Sequence, residues 1–209
     1  PSGCGKTTLL YIIAGLNAPT SGSIFIDNKK IEGTTPKTAF ILQDFGLLPW
    51  KSVLNNVELG MKIKGVPREE RRATADKLLA DLKISGHTER FPSNLSGGEK
   101  QRVAIARALA SKPEILLMDE PFSSLDTLTR EKLQNTIRGI QIDKKLAMIT
   151  VTHSIEEAVF LGDEILVMTP GPGRISRLIR NRGGRSADFR SSEPFFKTCV
   201  RIRGIIEKG

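Results

Sequence analysis

The chain has 209 residues, of which 39% are hydrophobic and 26% charged, a composition that suits one globular domain with room for a sub-lobe. No apolar run approaches the roughly 18 residues that a membrane-spanning helix needs. Most of the net charge of +9 lies in residues 172–209, where ten Lys and Arg stand against three Asp and Glu. A basic stretch can contact nucleic acid or an anionic membrane face. Because this one carries no nucleic-acid-binding motif, we expect a solvated surface instead, and no nucleic-acid partner.

Short apolar runs alternate with helical patterns, which predicts an α/β fold with a parallel sheet and crossover helices. In chain order the predicted elements are a helix at 5–16, strands at 23–27 and 38–42, helices at 52–64, 67–83 and 96–111, a strand at 115–118, a helix near 127–142, a strand at 146–151, a helix at 154–161 and a strand at 164–168. Gly and Pro at 170–173 mark a boundary. Beyond it we expect a strand at 174–179, a loop rich in Gly and Arg, and a helix from about 192.

The first motif with chemical meaning is PSGCGKTT at residues 1–8. It matches the end of the pattern G-x-x-x-x-G-K-[ST], in which backbone N–H groups surround phosphate oxygens. Lys6 is expected to reach the outer phosphates, and Thr7 to hold Mg²⁺ through its hydroxyl. A glycine-rich turn before a helix is the plain alternative. The predicted nucleotide-binding residues of this loop are Ser2, Gly3, Cys4, Gly5, Lys6, Thr7 and Thr8.

Two acidic residues, Asp119 and Glu120, follow the apolar run at 115–118. They therefore stand at the carboxyl end of a predicted buried strand, where open α/β sheets bind ligands. Asp119 is expected to bind Mg²⁺ directly or through water, and Glu120 to orient and polarise an attacking water. An acidic turn is the plain alternative, which a phosphate loop earlier in the chain disfavours.

A second candidate anion site lies at Ser96, Gly97 and Gly98, which open the helix predicted at 96–111. Ser96 and Glu99 have the spacing of a capping box, but a cap does not explain two consecutive glycines. Exposed N–H groups at a helix entry favour an anion. Two anion sites far apart in one sequence suggest that two copies of the chain meet around one nucleotide.

Together these motifs resemble those of the ABC-type ATPases, and they stand in that family's order from residue 1 to about 170. The resemblance implies a P-loop NTPase fold of the ABC cassette type, with a RecA-like parallel-sheet core and an inserted helical subdomain. The six motifs are the phosphate loop, a glutamine loop at Gln43, the signature at 96–98, Asp119-Glu120, the SSLD loop at 123–126, and His153 after the strand at 146–151.

The resemblance also implies roles for these residues, with ATP and Mg²⁺ as cofactors. Two cassettes would pair as a homodimer, each ATP lying between the phosphate loop of one and the signature of the other. Asp126 would help to assemble that interface, and His153 would bond the γ-phosphate. The implied catalytic residues are Lys6, Gln43, Glu120 and His153, and the implied metal ligands are Thr7, Gln43 and Asp119. The chain departs from the family in Glu99, usually Gln, and Ser154, often Asp; neither change removes a catalytic group.

The segment after Gln43 resembles one subfamily of importers in particular. Leu-Pro-Trp at 48–50, the helix predicted at 154–161 and the PGPGRI run at 170–175 are most like the importers of nitrate, sulfonates and taurine. In that family the region from Gln43 to Trp50 receives an integral membrane permease, and a separate solute-binding protein selects the solute. The implied location is peripheral, on the cytoplasmic face of the membrane. The cysteines Cys4 and Cys199 form neither a metal pattern nor a disulfide framework, which agrees with a reducing compartment.

Other function classes share parts of this pattern. A DNA-maintenance ATPase would suit the basic tail, but Lys6 and Ser96 are only 90 positions apart, and the stretch between them holds no sustained heptads for the long coiled coil of that class. A translation-associated protein with twin cassettes would need a second cassette, and the Leu-Pro-Trp segment disfavours it. A catalytically dead cassette is disfavoured because Lys6, Asp119, Glu120 and His153 are all present.

The predicted division into domains follows from these assignments. Residues 1–47 and 109–170 form the nucleotide-binding core, residues 48–108 the helical signature subdomain, and residues 171–209 a basic tail. Because the first glycine of the phosphate loop would precede Pro1, we expect the N-terminal strands of the core to be missing from this sequence. We therefore expect these 209 residues alone to bind ATP weakly or not at all, and to be inactive as an isolated fragment.

Overall fold

Helices and strands alternate along much of the chain, as the sequence pattern predicts. The structure, a computed structural model, describes residues 3–181 and 186–207. The α-helices are α1 (Lys6–Ile13), α2 (Val53–Ile63), α3 (Arg68–Asp81), α4 (Gly97–Ala110), α5 (Thr127–Lys144), α6 (Ile155–Leu161) and α7 (Glu193–Glu207). The strands are β1 (Ile24–Ile26), β2 (Lys29–Ile31), β3 (Thr38–Ile41), β4 (Ile115–Asp119), β5 (Ala147–Val151), β6 (Glu164–Met168) and β7 (Ile175–Arg180). Short 3-10 helices lie at Ser85–His87, Pro92–Asn94 and Ala187–Ser191.

A three-stranded parallel sheet, in the order β3-β4-β5, carries the predicted site. Its central strand β4 is almost entirely buried, as expected for an apolar strand covered on both faces. Helix α1 packs against β4 and β5, and its Leu10 and Ala14 form a small core with Leu117. Because the three strands run in one direction, their carboxyl ends meet at one edge of the sheet. The predicted parallel-sheet fold is confirmed.

Helices α2, α3 and α4 follow one another between β3 and β4 and pack against each other. Their shared core contains Val57, Leu79 and Val103, each fully buried. The amide of buried Asn56 organises the loop before α2, because its Nδ2 donates to the carbonyl oxygens of three residues of that loop and its Oδ1 accepts from one backbone N–H. The loop is thereby fixed to the helical layer.

Strand β2 has no counterpart among the predicted elements. It pairs antiparallel with β1 through a turn at Asp27 and Asn28, whose φ angles are 50° and 61°. Two residues with positive φ are the signature of a two-residue hairpin turn, and Asp and Asn tolerate that conformation better than most residues. Asp27 and Asn28 are therefore the sequence feature from which this hairpin could have been predicted.

The C-terminal part of the chain is folded onto the rest. Strand β7 pairs antiparallel with β6, and the side chain of Asn181 donates to the carbonyl oxygens of Val159 and Gly162. Helix α7 packs against α6. The loop rich in Gly and Arg lies outside the described residues. Within the described ranges, no helix combines the length and the apolar character needed to cross a membrane.

Candidate functional site

The predicted phosphate loop presents bare backbone to open space. Gly3 and Gly5 have φ angles of 73° and 91°, which glycine adopts without steric cost. At both positions the space that a Cβ would occupy has no other residue's atom within 4 Å beyond the chain neighbours. Helix α1 begins directly after Gly5, so its first N–H groups lack partners within the helix. This arrangement fits a polyphosphate; Ser2, also predicted to bind it, lies outside the described residues.

The side chains of the loop follow the predicted pattern. The ammonium of Lys6 lies 3.6 Å from the sulfur of buried Cys4. Thr7 and Thr8 are exposed in the first turn of α1. Behind the loop, Gly173 packs so closely that a Cβ there would overlap the carbonyl oxygen of Cys4. The phosphate loop is therefore supported from behind by the turn that leads into β7.

The carboxyl ends of the three parallel strands bring the predicted catalytic residues to one edge. Gln43 follows β3 by two residues and is exposed, Asp119 ends β4, and His153 follows β5 by two residues. Glu120 comes next after Asp119, has a left-handed φ of 45°, and donates its N–H to the carbonyl oxygen of Val151 at 2.9 Å. This strained turn directs the Glu120 side chain along the edge toward β5.

Glu120 and His153 are in direct contact. Nδ1 of His153 lies 3.1 Å from Oε2 of Glu120, with the imidazole 64% exposed and the carboxylate 23% exposed. Asp119 is buried, and its Oδ1 is a buried oxygen without a hydrogen-bond partner among the described residues. Because an unpaired buried carboxylate oxygen is costly, this atom fits a ligand such as a hydrated Mg²⁺. The donor set of Asp119, Thr7 and Gln43 is all oxygen, as that ion prefers.

The N-terminus of α4 has the predicted capping box. The Oγ of Ser96 accepts from the N–H of Glu99 at 3.3 Å, and Oε2 of Glu99 accepts from the N–H of Ser96 at 2.7 Å. Nε2 of His87 approaches the other carboxylate oxygen at 3.2 Å. The backbone N–H of Ser96 is the main cause that lowers the pKa of Glu99. The signature therefore carries a negative charge where the family usually has a neutral glutamine.

The signature glycines pack against the SSLD loop. A Cβ at Gly97 would meet Oγ of Ser124 at 3.6 Å, and one at Gly98 would meet Leu125 and Thr129 at 3.4 Å. These are van der Waals distances, so the signature glycines lie directly against the SSLD loop and the first turn of α5. Asp126 is the N-cap of α5 and accepts from the N–H of Thr129, which lowers the pKa of its carboxyl. Its predicted role in a dimer interface stays a prediction.

Comparison with known proteins decides the family. A sequence model described as "ABC transporter" matches residues 1–123, more than half of the chain. The chain belongs to the ABC transporter family. An ABC transporter ATP-binding protein of Methanocaldococcus jannaschii, itself uncharacterised, is 44% identical over 99% of this chain and 77% of its own length. A taurine import ATP-binding protein of Yersinia pestis is 47% identical over 90% of this chain and 74% of its own length.

The fold of this ABC cassette matches solved structures. A dimeric bacterial ABC transporter cassette superposes with a TM-score of 0.79 at 36% identity, over 88% of this chain and 83% of that one. A dimeric post-hydrolysis cassette bound to ADP and inorganic phosphate gives a TM-score of 0.76 at the same identity and coverage. The chain is thus an ABC-type ATP-binding subunit of the ATP-hydrolysing class.

Sequence reasoning missed the buried acid Glu157 of this ABC cassette. Glu157 of α6 is 5% exposed, and burial raises the pKa of its carboxyl to about 7. The Thr152 hydroxyl and the charge of Arg130 oppose that shift, whereas the charge of Glu120 adds to it. In the sequence Glu157 is one of two consecutive acids in a short helix, and nothing there distinguishes it from its exposed neighbour Glu156.

Proposed function

We propose that this chain powers an importer for a small anionic solute of the nitrate, sulfonate or taurine type. The observation that carries the proposal is the similarity to taurine import ATP-binding proteins, which extends over nearly the whole chain. The edge of the sheet supports the ATPase part of it, because Glu120 and His153 touch there beside the unpaired oxygen of Asp119. Neither a DNA-maintenance nor a translation-associated role is favoured by a comparable observation.

In the ATP hydrolysis that we propose, the loop at Gly3–Gly5 and the first turn of α1 bind the phosphates of ATP through backbone N–H groups. Lys6 neutralises charge that develops on the outer phosphates. Thr7, Gln43 and Asp119 are the residues that would hold Mg²⁺, which when bound supplies further positive charge to the phosphate oxygens. Glu120 orients the attacking water and accepts its proton. Gln43, Asp119, Glu120 and His153 all follow or end parallel strands of the one sheet, so these four groups lie along its carboxyl edge.

His153 has two bonds to make in this mechanism. A carboxylate only accepts, so His153 donates through Nδ1 to Glu120. To bond a γ-phosphate oxygen at the same time it must also donate through Nε2, which requires the imidazolium form. His153 would thus place positive charge near the transferred group and hold the Glu120 carboxylate in position. The two residues therefore act as one unit.

The proposal includes a second copy of the chain. Ser96, Gly97 and Gly98 would contact the nucleotide bound by the phosphate loop of the other cassette, with Asp126 near the interface. The support is that the signature glycines pack against Ser124 and Leu125 of their own chain, while the α4 N-terminus keeps anion-favouring N–H groups. The related cassettes of known structure are dimers.

The permease would dock on the region from Gln43 to Trp50. Trp50 is 71% exposed, so its ring is available to a partner protein, and aromatic residues are enriched at protein–protein interfaces. Asn56 donates to the carbonyl oxygens of Leu48 and Lys51, on either side of Trp50, so the backbone that carries the exposed ring is held in position. The subunit would then lie at the cytoplasmic face of the membrane, and a solute-binding protein would act through the permease.

The test is to sequence the genes on both sides and to reconstitute the full-length protein in vesicles with the permease and solute-binding protein that this proposal expects them to encode. We expect ATP-dependent uptake of labelled taurine, another sulfonate or nitrate, and no uptake with the Glu120→Gln variant. Uptake of none of these anions, with ATPase activity intact, would reject the solute class. Co-sedimentation with ribosomes and no association with any permease would replace the transporter by the translation-associated class.

A further inference from the structure

One side chain of α4 holds two consecutive backbone carbonyls just after Gln43. The guanidinium of Arg107 donates from Nη1 to the carbonyl oxygen of Gly46 at 2.5 Å and from Nη2 to that of Phe45 at 2.8 Å. A planar guanidinium bound to two acceptors fixes direction as well as distance. Burial lowers the pKa of Arg107, and the Asp44 carboxylate opposes that effect.

The turn held in this way is conformationally unusual. Phe45 has a φ of 68° and Gly46 a φ of 57°, and the left-handed region costs a non-glycine residue roughly 1–2 kcal/mol. The N–H of Phe45 donates to the carbonyl oxygen of Leu42, and that of Gly46 to Oδ1 of Asp44. Arg107 binds the two carbonyls. The turn is therefore fixed from within by its N–H groups and from α4 by its carbonyls, which is how a strained turn persists.

Helix α4 links this turn to the signature. The helix begins at Gly97, and Arg107 lies ten residues further along, about 15 Å at the rise of an α-helix. Immediately after the turn comes the segment at 48–50 that carries Trp50, and its Leu48 is bonded to Asn56 through both backbone groups. The signature is thus connected to Trp50 in three steps: helix α4 carries Arg107, Arg107 is hydrogen-bonded to the turn at Phe45 and Gly46, and the chain continues from that turn into the segment at 48–50.

We propose that Arg107 is a positioning residue that makes α4 and the turn at Phe45 and Gly46 move as one body. Nucleotide contact at the signature then changes the position of the segment at 48–50. This inference rests on the proposed function, because it takes the signature as a nucleotide contact and the segment around Trp50 as the permease contact. Without Arg107 the turn loses the two hydrogen bonds that tie its carbonyls to α4, and the segment no longer follows the helix.

Trp50 itself supplies the readout, because it is the only tryptophan in the sequence and is exposed. The experiment measures quenching of its fluorescence by iodide, with and without Mg²⁺ and ATP, in full-length protein that carries Glu120→Gln to stop turnover and Phe in place of any tryptophan outside these 209 residues. We expect ATP to change the quenching, and Arg107→Met to remove most of that change. The affinity for ATP, measured by displacement of a fluorescent nucleotide, should stay within about threefold, because the coupling and not the binding site is altered.

The same helix offers a matched control in Arg102, which donates to a single carbonyl, that of Leu82 in the helical layer. Arg102→Met should keep the full response of Trp50 to ATP. Arg107→Lys should keep part of it, because one ammonium replaces a two-pronged donor. If Arg107→Met does not fold, Gly46→Ala tests the same contact from the other side. Its added Cβ would lie 3.0 Å from Leu42 and 3.4 Å from Nη2 of Arg107 at a positive φ, so the response should again fall.

The possible results test the inference about Arg107 and the proposed function separately. A full response in folded Arg107→Met, equal to that of Arg102→Met, overturns the inference. A parent protein that binds ATP while Trp50 shows no change also overturns it and leaves the proposed function intact. If the full-length parent protein binds no ATP, the proposed function itself is rejected.

Discussion

His153 lies against Glu120, with Nδ1 and Oε2 3.1 Å apart, although 33 residues separate them in the sequence. The register of the sheet produces this contact, because Asp119 at the end of β4 stands opposite Val151 at the end of β5. The residues that follow each strand are therefore neighbours at the same edge. This contact turns two separate sequence motifs into one unit and underlies the first two predictions.

Glu120→Gln should keep ATP binding and lower turnover by about 100-fold or more, the usual loss when a catalytic base is removed. The amide has the shape of the carboxylate but cannot accept a proton from water. ATP binding by equilibrium titration and phosphate release under saturating ATP measure the two effects. Glu89→Gln is the control, because Glu89 is an exposed carboxylate of the helical layer. Unchanged turnover in Glu120→Gln would mean that another group is the base.

His153→Ala should also lower turnover strongly, and its effect should not add to that of Glu120→Gln. The reason is that two residues in one hydrogen-bonded unit lose most of their joint contribution when either is removed. Steady-state rates of the two single variants and the double variant complete the cycle. Rates that multiply, as for independent sites, would show that the contact between the two side chains has no part in catalysis.

The positions of these candidate catalytic residues at the sheet edge could be predicted from the sequence, for a physical reason. An apolar run such as 115–118, bounded by polar residues, favours a buried strand, and acids directly after it must then stand at the sheet edge. The capping box at Ser96 and Glu99 was equally accessible, because it depends on four consecutive residues. Both features are local, so the sequence contains all the information that they need. The assignment of roles to these residues remains a proposal.

Other features depend on contacts between distant residues and left no local signal. Arg107 belongs to a helix whose sequence does not show that it reaches the carbonyl oxygens 61 and 62 residues earlier. The His87 contact with Glu99 is of the same kind. Glu157 is buried in α6, and the packing of α6 against α7 is likewise not visible in the sequence. Such contacts are tertiary, and neither propensity nor periodicity encodes them.

Glu99→Ala should destabilise the protein by about 1 kcal/mol, because it removes one half of a capping box at the start of α4. Glu99→Gln should restore most of the loss, since the amide oxygen still accepts from the N–H of Ser96. Urea unfolding followed by circular dichroism gives the free energy of unfolding. The matched control is Glu89→Ala, an exposed acid of the same region without a role in the cap. Equal stability of the Glu99 and Glu89 variants would show that the cap contributes nothing measurable.

Glu157 makes stability depend on pH in a defined direction. Burial raises its pKa from 4.5 to about 7 in the folded state, so the folded protein binds this proton more tightly than the unfolded chain. The corresponding stabilisation is present in full below the unfolded pKa of 4.5 and is lost as the pH rises through about 7. Glu157→Gln carries a neutral side chain of the same shape at every pH and does not lose it.

The free energy of unfolding of Glu157→Gln should therefore increase relative to that of the wild type as the pH rises from about 5 to about 8. Because a tenfold change in proton affinity corresponds to about 1.4 kcal/mol, the relative gain is roughly 3 kcal/mol. Urea unfolding at several pH values measures it. Glu156→Gln, in the exposed position next in the same helix, should follow the wild type throughout. Stability curves of Glu157→Gln and wild type that run parallel across this range would mean that Glu157 is already ionised in the folded protein, with its charge balanced by Arg130.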